Sequence, residues 1–273
     1  MECPAGHRRA ALARIARMKR LIVHADDFGR ASSVNAGIVR AHREGIVTAT
    51  TLMVGGPACE EAGRIARATP SLDVGVHLTL TYARPLTDRE RIPSLVEPDG
   101  TFPRPPAAFL GTGRAKPDEA LIEYRAQHAR AAELIGRAPT HLDTHHWLHD
   151  DAALEWAITA LAQETGAAVR PHDDAQRGRL RAAGVRTVDR YRRDFQHEGH
   201  VDLATLERIL EEIGDGVTEL GCHPGEPDPD LERTSGYAAL RVTELATLTD
   251  PRLRAAVARS GISLTNYAGL PRA

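Results

Sequence analysis

Cysteine and aromatic residues are scarce in this sequence, and both shortages narrow the function it can have. The three cysteines, Cys3, Cys59 and Cys222, are far apart and form no CxxC pair, which argues against a disulfide framework and a cysteine-based zinc site. Aromatic residues make up 4% of the chain, too few for a platform that stacks on nucleic-acid bases. We therefore expect a cytoplasmic protein that binds no nucleic acid.

Long apolar runs and an excess of one charge are also missing. No run approaches the roughly 18 residues of a membrane span, and the Arg-rich residues 1–17 lack the apolar region of a secretory signal. A formal net charge of −2 indicates no electrostatic capture of nucleic acid or of an anionic membrane. We expect residues 1–17 to be an extension that is disordered or not translated, with either Met1 or Met18 as the start.

Strand-like and helix-like segments alternate through the rest of the chain. The predicted strands cover residues 20–25, 47–54, 73–80, 140–149, 167–170, 185–188, 217–222 and 262–266. Alternation implies parallel strands joined by helical crossovers. We predict one domain over residues 18–273, a distorted (β/α) barrel of about seven or eight mostly parallel strands. A doubly wound open sheet is the alternative, although no GxGxxG or P-loop signature follows the first strand.

Residues 82–117 break this alternation. They are rich in proline and glycine and show no sustained period. Because the segment is too long for an ordinary connection, we predict a rim or lid over a functional site.

Histidine is concentrated in residues 140–149, the run THLDTHHWLH. Four histidines and one aspartate at the end of a predicted buried strand are typical of a metal site. The alternative is a solvated histidine-rich turn.

Acidic and imidazole side chains also follow other predicted strands. Asp26 and Asp27 come after strand one, His77 lies near the end of strand three, and His223 follows strand seven. In a barrel these strand ends meet at one mouth. One carboxylate with two imidazoles is a common open metal site, and a second carboxylate can act as a base. The residues alone do not tell which aspartate does which, and the pair could instead cap the following helix.

Five motifs, taken together, resemble one known family. In chain order they are Ala25-Asp26-Asp27-Phe28-Gly29, Asn35-Ala36-Gly37-Ile38, Gly75-Val76-His77-Leu78-Thr79-Leu80-Thr81, Thr140-His141-Leu142-Asp143-Thr144-His145 with His149, and Glu219-Leu220-Gly221-Cys222-His223-Pro224-Gly225. This combination is similar to the YdjC-like carbohydrate deacetylases, which include chitooligosaccharide deacetylases and hopanoid-associated HpnK proteins. The resemblance runs from about Arg20 to Asn266, and Arg241 and Glu244 match the family's late helix.

The resemblance implies a distorted β/α barrel related to polysaccharide deacetylases. It also implies a divalent ion, usually assigned as magnesium, and hydrolysis of an N-acetyl group from an amino sugar or glycolipid. Carried over by position, Asp27, His77 and His145 would hold the metal. Asp26 would be the general base, and His223 would support the leaving amine or the oxyanion.

The substrate contacts and the native metal are less specific expectations. Trp147 stands where many relatives have histidine, so it either stacks on a sugar or packs under the rim. We also expect His149, Arg170 and Arg241 to contact substrate. Two imidazoles suit Zn²⁺ better than Mg²⁺, so Zn²⁺ and Mn²⁺ stay open.

Three rival functions share these residue types. A phosphoesterase would prefer two metals and an arginine clamp such as Arg84, Arg170 and Arg241. A non-haem iron oxygenase would use the same two histidines and one carboxylate. A non-catalytic sugar-binding protein could keep the fold alone. By base rate, a homodimer is the expected assembly.

Overall fold

Eight strands form the central sheet of the protein, whose computed structural model describes residues 18–233 and 235–271. The strands are β1 Lys19–Phe28, β2 Ala49–Leu52, β3 Asp73–Leu78, β4 His141–Thr144, β5 Ala168–Val169, β6 Arg190–Arg192, β7 Gly216–Cys222 and β8 Ser263–Leu264. Every pairing among them is parallel. The predicted extension at residues 1–17 lies outside the described residues.

The strand order is β5-β4-β3-β2-β1-β7-β6, and β8 pairs with β1 outside this path. Three strands pair with β1. β7 pairs along Lys19–Ala25 of β1, β2 pairs near the carboxyl end of β1, and β8 pairs near the start of β1. The gap between β5 and β7 is bridged by the chain before β6. There the Val169 N–H donates to the Arg186 carbonyl and the Asp189 N–H to the Val217 carbonyl, each at 2.9 Å. The predicted distorted barrel is confirmed. Its strand pairing is interrupted between β5 and β6, the two ends of the path.

The predicted position of the sixth strand is wrong. We expected it at residues 185–188, and it lies at Arg190–Arg192. Val185 and Val188 are buried, so they gave the apolar signal of a strand. The actual strand, Arg-Tyr-Arg, is a partly exposed edge whose composition shows no such signal.

Nine helices lie between or after the strands in the described ranges. They are α1 Ser32–Arg43, α2 Cys59–Ala68, α3 Pro117–Ile135, α4 Ala152–Thr165, α5 Asp174–Ala182, α6 Leu203–Glu212, α7 Pro229–Glu232, α8 Ala238–Leu248 and α9 Pro251–Arg259. α4 shows how the sequence sets the limits. Asp151 caps its first N–H groups, and Gly166, with φ of 72°, ends it. None of these helices is both long and apolar enough to cross a bilayer.

The predicted rim segment, residues 82–117, is fixed to α3 by hydrogen bonds. The buried carboxylate of Glu123 accepts the backbone N–H groups of Leu86 and Thr87 at 3.1 and 3.0 Å. Phe102 and Phe109 of the rim are buried in the main core. The segment therefore belongs to the same packed unit as the sheet.

Candidate active site

The strands carry polar side chains into the interior of the barrel. His24 and Asp26 share one face of β1, and His141 and Asp143 share one face of β4, because side chains alternate along a strand. All four are buried, as is Glu219 of β7. Buried charged groups need partners, and here those partners are one another and Arg170.

The end of β1 turns sharply at the two aspartates. Asp27 has φ of 70° and Gly29 has φ of 95°. A side chain at Gly29 would collide with the Met53 carbonyl, 2.9 Å from the position of its β-carbon. The Asn35 side chain holds the turn by accepting the Gly29 N–H at 2.7 Å. This departure from extended backbone gives Asp26 and Asp27 different surroundings despite their adjacency in sequence.

Asp27, His77 and His145 come together at the mouth. Oδ1 of Asp27 lies 3.5 Å from Nε2 of His77 and 3.3 Å from Nδ1 of His145. Potential ligand atoms of the three residues lie within 4.8 Å of one another. Oδ1 is buried and accepts no well-formed hydrogen bond from the described residues. An unsatisfied carboxylate oxygen facing two imidazoles fits a divalent metal ion.

Further side chains orient these three candidate ligands. Nδ1 of His77 lies 2.8 Å from Oδ1 of Asp143, which leaves its Nε2 facing Asp27 and His145. Burial alone would lower the pKa of His77, but the charge and hydrogen bond of Asp143 raise it to about 9. Arg241 donates to the other oxygen of Asp27. Burial would raise the pKa of that carboxyl, yet the Arg241 charge holds it well below its usual value.

Asp26 is held away from this cluster by Arg170. The guanidinium donates to Oδ1 of Asp26 at 2.8 Å and to Oδ2 at 2.9 Å. It also lies 2.8 Å from Asp143 and 2.7 Å from Glu219. Burial would raise the pKa of Asp26, but the charge and hydrogen bonds of Arg170 and the His24 contact hold it well below its usual value. Asp26 is therefore a carboxylate at neutral pH.

His223 lies on the other side of Asp26. Its Nε2 is 3.7 Å from Oδ2 of Asp26. Its backbone N–H donates to Glu244, and its ring lies against Tyr237 with 5.2 Å between centroids. Burial lowers the pKa of His223 to about 4, so the imidazole is neutral at pH 7.

The residues expected to contact substrate lie in different environments. Arg170, Arg241 and His149 are only 1%, 3% and 0% exposed. Arg170 and Arg241 hold carboxylates of the site, and His149 bonds to Thr144 at 2.5 Å. Burial lowers the pKa of His149 to about 4. The structure thus gives these three residues internal partners in place of an open surface.

Trp147 is half-buried and lies above Arg170. Its ring stacks on His172 at 4.9 Å, lies 5.1 Å from Tyr191, and has the Arg170 guanidinium carbon 5.9 Å away. His146 and Trp147 both have positive φ, 62° and 57°, a backbone state that is costly for such side chains and is often found at functional sites. Of the four expected substrate contacts, Trp147 is the one whose side chain is partly exposed.

Several site residues received no role from the sequence. Asp143 orients His77, His24 contacts Asp26, Glu219 binds Arg170, and Glu244 binds the backbone of His223. Three of them could have been identified from their positions in the sequence. His24, Asp143 and Glu219 are polar residues in apolar strands, at positions whose side chains point into the barrel.

A cavity of about 540 Å³ lies at the opposite end of the barrel, beside Thr140, Gly184 and Ala268. It contains none of the predicted site residues. Its lining offers no cluster of carboxylates and imidazoles, so the mouth at the strand ends remains the candidate active site.

Comparison with known proteins finds a matching family model and several related chains. The family model for YdjC-like protein matches residues 20–259. A carbohydrate deacetylase from Geobacillus stearothermophilus is 40% identical over 90% of this chain and 96% of its own length. A chitooligosaccharide deacetylase from Serratia marcescens is 34% identical, covering 92% of this chain and 99% of its own. A solved structure from Enterococcus faecalis V583, with a proposed role in cellobiose-phosphate cleavage, is 34% identical with a TM-score of 0.84, covering 92% and 98%.

Proposed function

The chain belongs to the YdjC-like family, and we propose that it is a metal-dependent carbohydrate deacetylase that releases acetate from an N-acetylated amino sugar. The observation that carries the proposal is the meeting of Asp27, His77 and His145 near a second carboxylate, Asp26, that Arg170 holds ionised outside this group. The names of the deacetylase relatives support the same reaction.

The residues divide the work of amide hydrolysis. When bound at Asp27, His77 and His145, a divalent ion supplies polarisation of the amide carbonyl and activation of water. Asp26 takes a proton from the attacking water while the new carbon–oxygen bond forms. Arg170 keeps Asp26 ionised and oriented, as the bidentate contact indicates.

His223 completes the proton transfers. Because it is neutral at pH 7, it must receive a proton before it can act as an acid. Asp26 is 3.7 Å away and is the nearest carboxylate to its Nε2 among the described contacts. The proton taken from water thus passes to the leaving nitrogen as the carbon–nitrogen bond breaks, and acetate and a free amine leave.

Substrate recognition is assigned to Trp147 and the rim at residues 82–117. The indole is braced by His172 and Tyr191, so its ring is a rigid apolar surface of the kind that binds a sugar face. Glu123 fixes the base of the rim. We assign Arg170, Arg241 and His149 to orientation of the site rather than to substrate contact.

A phosphoesterase is disfavoured by the contacts of Arg170. A second group that could hold a metal consists of His24, Asp26 and Asp143. The Arg170 guanidinium lies 2.8 Å from both carboxylates of this group. A cation of the protein already takes the place of a second metal ion, which a two-metal mechanism requires.

The test is acetate release from a panel of N-acetylated sugars and glycolipids, including diacetylchitobiose with and without phosphate. Each is assayed with Mg²⁺, Zn²⁺, Mn²⁺ or a chelator. We expect release of acetate and free amine in equal amounts, abolished by chelator. Phosphate release without acetate, from the phosphorylated sugar, would favour the phosphoesterase.

We also propose the identity of the metal ion, the cellular compartment and the oligomeric state. Two imidazoles and one carboxylate suit Zn²⁺ better than the Mg²⁺ implied by the family, and Mn²⁺ is the other candidate. Cys59 and Cys222 are free thiols, which supports a cytoplasmic location. A homodimer is proposed by base rate, and light scattering of the purified chain tests it.

A further inference from the structure

A second histidine contacts Asp26 from within the barrel. His24 precedes Asp26 by two residues on β1 and is fully buried. Its Nδ1 lies 2.8 Å from Oδ1 of Asp26. No step of the proposed reaction uses this imidazole, and burying one has a desolvation cost that calls for a role.

A chain of contacts fixes the ring of His24. Its Nε2 lies 2.7 Å from Nε2 of His141, and Nδ1 of His141 lies 2.8 Å from Oγ1 of Thr140. The hydroxyl of Thr140 donates to Asp73 at 2.7 Å. His141 is also stacked flat on Tyr267, with 3.9 Å between ring centroids and 6° between planes. His24 therefore cannot rotate without disturbing a packed pair of rings.

The hydrogens along this chain can be assigned from its far end. The Asp73 carboxylate only accepts, so Thr140 gives it its hydrogen and accepts from Nδ1 of His141. Burial holds the pKa of His141 well below its usual value, so this ring has one hydrogen and its Nε2 accepts from His24. Nε2 of His24 therefore has a hydrogen, and a second hydrogen on Nδ1, the nitrogen that faces Asp26, would make this ring an imidazolium.

Nδ1 of His24 has an acceptor, Asp26, and a donor, Arg170, within hydrogen-bond distance. A hydrogen on Nδ1 of His24 would be donated to Asp26. A bare Nδ1 would instead accept from Arg170, whose terminal nitrogen is 2.5 Å away. That terminal nitrogen has two hydrogens and could donate to both Oδ1 of Asp26, at 2.8 Å, and a bare Nδ1. Two carboxylates face Nδ1, however, Asp26 at 2.8 Å and Glu219 at 3.9 Å, which favours a hydrogen on Nδ1.

We propose that His24 is a positioning residue that donates from Nδ1 to Asp26 and, braced by His141 and Tyr267, aims the base at its water. The inference rests on the proposed function. Arg170 donates hydrogen bonds to both oxygens of Asp26, and His24 adds a third hydrogen bond to the same carboxylate. Rotation of the carboxylate is thereby blocked before substrate binds.

Two substitutions separate the two ring nitrogens. His24→Asn places an amide N–H near the position of Nδ1 and keeps the donor to Asp26, while the contact with His141 is lost. His24→Gln places its amide near Nε2 and keeps only the His141 side. We expect H24N to retain kcat within about threefold, and H24Q to lose about 100-fold in kcat with little change in KM, as misplaced catalytic groups do.

Matched controls and a measurement without turnover complete the test. His128→Asn and His128→Gln, on α3, should differ little from each other in kcat, and thermal melts identify variants that fail to fold. ¹⁵N NMR of the ring nitrogens, assigned with H24N, should show a hydrogen on Nδ1 of His24 in the wild type.

The outcomes separate this inference from the proposed function. Absence of a hydrogen on Nδ1 of His24 would overturn the inference about His24, whether or not the wild type has activity. Equal kcat in folded H24N and H24Q also overturns it while leaving deacetylation intact. A wild type that releases no acetate sinks the proposed function, and the NMR result still decides the hydrogen on His24.

Discussion

Both carboxylate oxygens of Asp26 accept hydrogen bonds from one guanidinium, that of Arg170, at 2.8 and 2.9 Å. Lysine cannot reproduce this planar two-point contact. We expect Arg170→Lys to lower kcat about 100-fold with a small change in KM, because the base loses its orientation. Steady-state kinetics of acetate release provide the measurement.

A surface arginine supplies the control for that substitution. Arg179 also makes a two-point contact, with Glu155, but its side chain is 58% exposed. Arg179→Lys should leave kcat unchanged. An R170K enzyme with wild-type kcat would show that the buried contact has no part in catalysis.

Asp143 should govern metal affinity through His77. It accepts from Nδ1 of His77 at 2.8 Å, and removal of such partners typically weakens metal binding about 10–100-fold. We expect Asp143→Asn to do so, as measured by metal titration of the apoprotein. Unchanged affinity would contradict the assignment of His77 as a ligand.

Metal binding should release a proton from His77. With a pKa of about 9, the metal-free ring is doubly protonated at pH 7, and a ligand must have a free Nε2 lone pair. Affinity should therefore rise about tenfold per pH unit as the pH approaches 9 from below, and one proton should be released for each ion bound at pH 7. Calorimetry in buffers of different ionisation enthalpy counts that proton, and a count of zero would be inconsistent with His77 as a ligand.

Glu244 should make stability depend on pH. Burial raises its pKa from 4.5 to about 7 in the folded protein, so the folded state retains a proton that the unfolded chain has lost. Its contribution to stability is fully present below about pH 4.5 and lost as pH rises through about 7. Urea unfolding from pH 5 to 8 should show a shallower decline for Glu244→Gln than for wild type. Parallel curves would argue against this shift.

Much of the site could be predicted because its residues follow strands. Asp26, Asp27, His77, His145 and His223 lie at strand ends, and parallel strands bring such ends to one mouth. Alternation along the strands would also have placed His24 and Glu219 inside, since both are polar residues in apolar runs.

Other features depend on long-range contacts that a local pattern does not encode. Arg170 was expected to contact substrate, yet it is buried because Asp26, Asp143 and Glu219 surround it. The positive φ of Trp147 results from its packing and not from its residue type. The same holds for β6, whose charged sequence pairs with β7 without an apolar signature.

In the proposed reaction two adjacent aspartates have different tasks: Asp27 holds the metal and Asp26 acts as the base. The direct measurement is metal content and acetate release on the same samples of Asp26→Asn and Asp27→Asn. We predict that D26N keeps its metal and loses about 10²–10⁴-fold in kcat, whereas D27N loses both metal and activity. Loss of metal from D26N in step with its activity, or full metal occupancy in D27N, would contradict this division of tasks.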